Sequence, residues 1–385
     1  MRPRVVMHVT TVPMSLGFIR GQAAFMREHG IELLAVSSDG PEREPFARTE
    51  AVSVHVVEMA RRIAPLQDLR ALAKLVRHMR MVRPDVVDAH TPKGGLLGMI
   101  AATLNGVRAR VYHMRGLPYE TAGGVQRILL TTTERISCAL AHVVLCVSPS
   151  LRAVAIRDKL LPETKAHVLG FGSGNGVDAK LRFDPTGVEP KMREIQRNDL
   201  AISQEAFHVL FLGRIVRDKG ILDLAAAWSF VAERVPHARL TIVGDVEARD
   251  PVPPSVLNAM RDNPTVRLLT AVSDPVPLYA SSDLVVLPTY REGFPNVLLE
   301  AAAMERPAVA TRVTGCVDAI MDGVTGRLVQ PGDPIGLADA IIYYATNPSV
   351  GIAHGRAARQ RVLRDFNPDR LWAELLTTYE EAMTQ

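Results

Sequence analysis

The feature that most limits what this chain can become is a rhythm that is broken once. Segments 5–9, 31–37, 52–58, 86–89, 110–113 and 143–148 are short, apolar and rich in β-branched residues, as buried strands are. Helical patterns lie between them, near 18–29, 66–82, 94–105, 125–140 and 150–159. Strands spaced this way need crossovers, and crossover helices cover both faces of a mainly parallel sheet. Residues 182–206 interrupt the pattern with a polar stretch that holds two prolines and no clean strand. It restarts at 208–212, 239–243, 266–269, 284–288, 308–310 and 326–329. A chain of 385 residues is also too long for one typical domain. The expected fold class is therefore α/β, with two Rossmann-like doubly wound domains, 1–185 and 186–367, facing each other across a cleft. A last helix, 368–385, is expected to pack back on the first. Such domains gather ligands at the C-terminal ends of their strands.

Charge separates the halves. Residues 1–190 carry 25 Lys/Arg against 17 Asp/Glu, and residues 191–385 carry 20 against 24. A basic first half suits an anionic partner: a phospholipid surface, a lipid diphosphate or nucleic acid. Nucleic acid is disfavoured, because aromatics are only 5% and no basic–aromatic stripe exists. The N-terminal MRPRVVMHVTTVP lacks the apolar core of a signal peptide. The longest nearly apolar run, 94–104, is about half the roughly 20 residues that a spanning helix needs. Cys138, Cys146 and Cys316 form no metal-type pair and read as buried thiols. The expected location is the cytoplasm, with peripheral contact at the inner face of an anionic membrane.

Two segments carry chemistry. In 283–304 (DLVVLPTYREGFPNVLLEAAAM) a strand leads through a loop into a helix that begins near Pro295. Proline suits the first helical turn, and the free N–H groups from Phe294 to Val297 make an anion site with the helix dipole. Glu292 and Glu300 flank that site. They suit hydroxyls on either side of a diphosphate, since one carboxylate can accept from two neighbouring hydroxyls. Their spacing alone fits ordinary helix-start acids equally well. In 209–228 (VLFLGRIVRDKGILDLAAAW) Gly213 ends a strand, and Arg214 and Lys219 stand on the loop before the next helix. Two fixed cations there suit a diphosphate leaving group.

Gly213-Arg214 with Lys219-Gly220, Val243-Gly244-Asp245, and Glu292-Gly293-Phe294-Pro295 with Glu300 follow one another in an order that resembles the retaining family 4 glycosyltransferases of GT-B architecture. AHTPKGGLLG (89–98), RGLPYE (115–120), CVSPSLR (146–152) and NGVD (175–178) resemble the branch acting in bacterial surface polysaccharide synthesis. The resemblance implies that Arg214 and Lys219 bind the diphosphate, that Glu300 takes the ribose and that Glu292 takes the sugar. It makes Arg214, Lys219 and Glu292 the catalytic set. Gly213, Gly293, Phe294, Pro295, Asn296 and Val297 complete the donor site, and Gly17, on the Ser15–Phe18 loop, approaches the diphosphate. Three departures stand out, and one is Thr270, which replaces a common glycine near the nucleobase. Arg115 occupies a place where the family often has histidine beside the sugar, and an arginine is no general base. Glu305 stands where glycine is usual.

His90, Lys93, His113, Arg115 and Glu120 fall at or beyond strand ends of the first domain and are acceptor-side candidates. For the two histidines, a structural role bonded to a neighbouring loop is the competing reading. Segment 66–82 is amphipathic, with Leu66, Leu69, Leu72, Ala73, Val76 and Met79 as its expected apolar stripe. A crossover helix covering the sheet explains it more simply than a membrane role does. GFGSGNGV (170–177) has the wrong glycine spacing and no following helix for a dinucleotide site. No D-x-D occurs, so neither a metal nor a cofactor is expected. The expected reaction moves a hexose, an N-acetylhexosamine for preference, from a nucleoside diphosphate, UDP favoured, to a lipid-diphosphate-linked glycan. A nucleotide-sugar 2-epimerase on the same architecture and a non-catalytic nucleotide-sugar binder are the alternatives.

Overall fold

The structure, a computed structural model, describes residues 4–189 and 191–384. It comprises two compact units, one made of residues up to Asn175 together with those from Pro368 onward, the other of Gly176–Asn367.

In the first unit β1 (Arg4–Val9), β2 (Ile31–Ser37), β3 (Ser53–Val56), β4 (Val86–His90), β5 (Ala109–Met114), β6 (Val143–Cys146) and β7 (Ala166–His167) form one parallel sheet. Its order is β3-β2-β1-β4-β5-β6-β7, so the winding reverses between β1 and β4. A ligand crevice opens at the C-terminal ends of strands beside such a reversal. The helices Pro65–Val82, Pro92–Leu104 and Gly124–Leu140 lie side by side, the middle one packed between the others. Proline opens the first two, where its missing N–H costs nothing. The last helix, Pro368–Thr384, packs on β5 and on the helix Gln22–Glu28. It buries Leu371, Leu375, Tyr379 and Ala382, a one-faced helical spacing, in the core that holds Leu16 and Ile19.

The apolar stripe expected on the helix at 65–82 is corrected. Its buried row is Ala71, Leu75 and Met79, which repeats every four residues against the neighbouring helix. Leu66 and Leu69 are 76% and 64% exposed, and Ala73 faces solvent as well.

In the second unit β8 (Phe207–Leu212), β9 (Ala238–Val243), β10 (Val266–Leu269), β11 (Leu284–Leu287), β12 (Ala308–Thr311) and β13 (Gly326–Val329) are again parallel. The order β10-β9-β8-β11-β12-β13 places its reversal between β8 and β11. Residues 176–185, assigned to the first domain from the sequence, pack here instead. Val177, Ala179 and Phe183 join this unit's core, and Asp184 receives the Arg359 guanidinium at 2.8 Å. The polar stretch 182–206 is also more ordered than its composition implies. Within it the helix Met192–Asp199 is anchored by Arg197, a fully buried side chain that donates to Asp283 at 2.7 Å and to three carbonyls of residues 203–206.

Candidate active site

Because β8 and β11 are neighbours, the loops that follow them, 213–220 and 288–295, lie against each other. Gly220 makes this closeness possible. Its φ is +70°, and a Cβ there would sit 1.8 Å from the Pro288 carbonyl oxygen. Asp218 then stitches the loops. Its carbonyl accepts from Tyr290 N at 2.8 Å and from the Thr289 hydroxyl at 3.1 Å, and its carboxylate pairs with Arg291 at 2.9 Å. Neither Asp218 nor Arg291 was singled out from the sequence.

On this support Lys219 and Glu292 form a short ion pair, both side chains mostly covered. Arg214 lies at the end of β8 with its guanidinium 2.9 Å from Glu247 and 41% exposed, so it remains accessible to an anion. Glu247 is a third residue that sequence reasoning missed; no local pattern marks it. The ammonium and the guanidinium thus stand on one loop, each poised by a carboxylate that a more highly charged ligand can displace.

Pro295 precedes the helix Asn296–Ala303 and no side chain caps it, which leaves its first amides for a ligand or solvent. Gly293 lies under Gly315, whose Cβ would approach the Gly293 carbonyl oxygen to 2.3 Å. Phe294 turns its ring toward Phe366, with centroids 5.5 Å apart, and so braces the loop from the core side. Glu300 accepts a hydrogen bond from the Tyr279 hydroxyl at 2.8 Å. Burial, and then the nearby Glu300 charge, push the Tyr279 phenol well above its ordinary pKa, so it stays a donor. Cys316 is buried beside Glu292, and burial raises its thiol well above the ordinary range, which leaves it unreactive. The helix that carries Glu300 ends with Glu305 at φ +57°, a left-handed position that suits glycine and costs another residue about 1 kcal/mol.

The first unit collects its polar groups differently. His8 on β1, Asp88 and His90 on β4 and His113 on β5 come together at the sheet's reversal, all essentially inaccessible to solvent. Tyr379, from the last helix, donates to Asp88 at 2.7 Å. Arg115, just past β5, donates from Nε to His90 Nδ1 at 3.1 Å. That bond fixes the ring protons. His90 must carry its proton on Nε2, which donates to His8 Nδ1 at 2.9 Å, and His8 is then protonated on Nε2. Burial lowers all three histidines, His8 to about 4, so the rings are neutral. Burial also acts to raise the Asp88 carboxyl, but the surrounding rings, His90 first, outweigh it and hold it below the ordinary range. His8, Asp88 and His90 place ligand atoms within 4.8 Å of one another. A cation there would have to displace the Arg115–His90 or the His90–His8 bond.

Arg115 is the outer member of this network. Its guanidinium lies 4.3 Å from the centre of the Phe18 ring, and a Cβ on Gly174 would touch its Nη1. Burial lowers its pKa to about 10, which leaves it charged. Of the other acceptor-side candidates, Lys93 is held by Asp68 at 2.7 Å and by the Arg62 carbonyl. Glu120 ends the short turn Pro118–Glu120. Gly17 is exposed on the turn Pro13–Ile19, with open space where its side chain would be. His90 and His113 are therefore internal to the network, while Arg115 is the group it presents.

Two parallel Rossmann-like sheets, each with its candidate residues at the C-terminal edge, are the architecture of the GT-B class of glycosyltransferases. Residues 206–347 match the family described as glycosyl transferases group 1, and residues 18–172 match the glycosyl transferase 4-like domain. The capsular polysaccharide biosynthesis glycosyltransferase CapM of Staphylococcus aureus is 34% identical over 98% of this chain and 97% of its own. The chain belongs to this family of group 1, family 4-like glycosyltransferases. An Escherichia coli UDP-Gal:alpha-D-GlcNAc-diphosphoundecaprenol alpha-1,3-galactosyltransferase is 24% identical over 81% of this chain and 79% of its own. Among solved structures, Anabaena HepE in complex with UDP and glucose superposes with a TM-score of 0.81 at 19% identity, over 98% of this chain and 99% of that one. No helix among the described residues is long and apolar enough to cross a membrane.

Proposed function

We propose that this glycosyltransferase transfers a hexose, an N-acetylhexosamine for preference, from a UDP-sugar to a hydroxyl of a lipid-diphosphate-linked glycan, with retention at the anomeric carbon. The observation that carries the reading is the loop after β8, where Arg214 and Lys219 stand as carboxylate-poised cations beside Glu292. A departing nucleoside diphosphate gains charge as the bond from its oxygen to C1 breaks, and two fixed cations stabilise that charge where it develops. The acceptor oxygen bonds to C1 on the face the diphosphate leaves, and the acceptor proton passes to a leaving phosphate oxygen. In this scheme the protein needs neither a nucleophile nor a metal. Glu292 orients the sugar and Glu300 the ribose, with Arg115 offered to a phosphate of the acceptor. The UDP-Gal donor and diphosphoundecaprenol acceptor in the Escherichia coli relative's name, and the UDP in the HepE complex, support the choice of substrates. The enzyme is expected to work at the cytoplasmic face of the inner membrane.

Labelled nucleotide sugars, tested one by one with a bacterial lipid extract, check the proposal. One UDP-sugar should label an organic-soluble product and release UDP only when the extract is present. UDP release without acceptor, or a donor that returns as its epimer, would replace transfer with epimerisation. Tight UDP-sugar binding without any product would leave only a binding protein.

A further inference from the structure

The loop after β9, residues 244–253, lies along the loop that carries Arg214 and Lys219. β8 and β9 pair Leu212 with Val243, and the bridge Ile215–Val246 keeps that register beyond the sheet. The approach is close enough to need glycine, since a Cβ on Gly244 would sit 1.9 Å from the Gly213 carbonyl oxygen. Main chain and acids then divide the contacts. Gly213 N donates to the Val243 carbonyl at 3.0 Å, Ile215 N to the Asp245 carbonyl at 2.9 Å and Arg217 N to the Asp250 carbonyl at 3.2 Å. Each of the loop's three acids accepts from a different group. The Asp250 carboxylate takes Asp218 N at 2.7 Å, Asp245 takes Ala271 N at 3.2 Å, and Glu247 takes the Arg214 guanidinium at 2.9 Å.

The Arg214 loop is therefore fixed by main-chain bonds and by Asp250 without any help from Glu247, whose bond acts on the arginine side chain alone. A guanidinium has five N–H groups, and Glu247 takes one of them, on Nη1. It is the only partner of that guanidinium among the described residues. The Glu247 side chain is also the more covered of the pair, 18% exposed against 41%. Held this way, Arg214 keeps the edge formed by Nε and Nη2 unbonded, and that planar edge can donate in parallel to two oxygens of one phosphate. A ligand can displace Glu247, but it does not need to. An arginine left unheld would lose its rotamer freedom only on meeting the ligand, at a cost to binding. We propose that Glu247 is a positioning residue for the donor: it fixes Arg214 in advance, with the Nε–Nη2 edge open to the diphosphate. The inference rests on the donor-site reading, in which Arg214 meets phosphate.

Calorimetric titration of the purified full chain with UDP tests it, ADP or GDP replacing UDP if either binds more tightly. Glu247→Ala should weaken the nucleotide about tenfold, and Glu247→Gln, whose amide oxygen still accepts from Nη1, only about threefold. The thermal transition read by Trp228 should stay at the wild-type temperature in both, because the main-chain bonds of the loop remain. In an Arg214→Ala chain, titrated to millimolar nucleotide, adding Glu247→Ala should change nothing. Tighter binding by Glu247→Ala would make the carboxylate a competitor that the donor must expel, and overturns the proposal. So does wild-type affinity in Glu247→Ala, or an equal loss with and without Arg214, which is what loop support alone would give. A wild-type chain that binds none of the three nucleotides removes the donor-site reading and this inference together. A chain that binds one of them with indifference to Glu247 removes this inference alone.

Discussion

Tyr279 and Tyr379 are both fully buried phenols that donate to a carboxylate, at 2.8 Å and 2.7 Å, yet they support opposite kinds of site. In the second unit the chain ends at Glu300, a half-buried carboxylate on the helix Asn296–Ala303, and of the paired cations nearby Arg214 is 41% exposed. In the first unit it enters Asp88, passes among three buried histidines and emerges only at Arg115. The second unit keeps its charges as ion pairs on the loops beyond its strands. The first gathers its buried polar groups around Asp88, and Arg115 meets them through one bond to His90. The difference separates paired charges that an anion could reach from polar groups that are locked inside the sheet.

Acid should expose the contrast most strongly. Three fully buried histidines, His8, His90 and His113, lie in the first unit, while His208 alone lies in the second. Burial lowers each, His8 and His208 to about 4. The unfolded chain therefore takes up protons first, near the ordinary value of 6.5. The stability these neutral rings contribute is complete above that pH and drains as the pH falls toward the folded value. For His8 or His208 alone the loss is on the order of 3 kcal/mol. Each unit has its own reporter, because Trp372 bonds Asn175 in the first and Trp228 bonds Thr265 in the second. With Trp228→Phe and Trp372→Phe chains, fluorescence should show the first unit unfolding at a higher pH than the second. Coincident acid transitions would erase the distinction.

A slightly smaller effect should come from Lys219→Ala. If the second site works by offering cations to the leaving diphosphate, transfer should fall at least about 10²-fold. The Trp228 signal and its thermal transition should stay near wild type, since the pair joins two loops beyond the strand ends and is not part of the hydrophobic core. Near-normal turnover would remove Lys219 from the chemistry and leave its pairing with Glu292 as structure.

What the sequence made legible follows the same division. The candidate donor-side residues lie on the loops that follow β8 and β11 or on the helix after the second loop, so short motifs carry both the residues and their place in the fold. Arg214, Lys219, Glu292 and Glu300 could be picked out that way. Glu247, Tyr279, Asp88 and Tyr379 could not, because their meaning depends on partners far along the chain; Tyr379 and Asp88 are 291 residues apart. Strands announced themselves by β-branched runs, except β7, which has only two residues. The helix Met192–Asp199 was hidden because a buried arginine, not an apolar stripe, fastens it. On the helix Pro65–Val82 the hydrophobic residues were plain but the buried face was not. A helix with apolar residues on two faces does not state which one meets the protein.

The finest test separates the two tyrosines. Tyr379→Phe keeps the ring in its core packing and removes only the donor to Asp88, leaving a buried carboxylate one hydrogen bond short. The first unit should lose about 2 kcal/mol, read by Trp372, with the second unit unmoved. The Asp88 carboxyl should also become easier to protonate, which moves the first unit's acid transition to higher pH. Tyr279→Phe removes the equivalent bond beside the donor site. Its main effect should fall on the KM for the nucleotide sugar, if Glu300, one hydrogen bond short, is the residue that meets the ribose. If Tyr279→Phe instead destabilises the second unit as much as Tyr379→Phe does the first, and leaves donor KM alone, both phenols are structural and Glu300 is not held for a ligand.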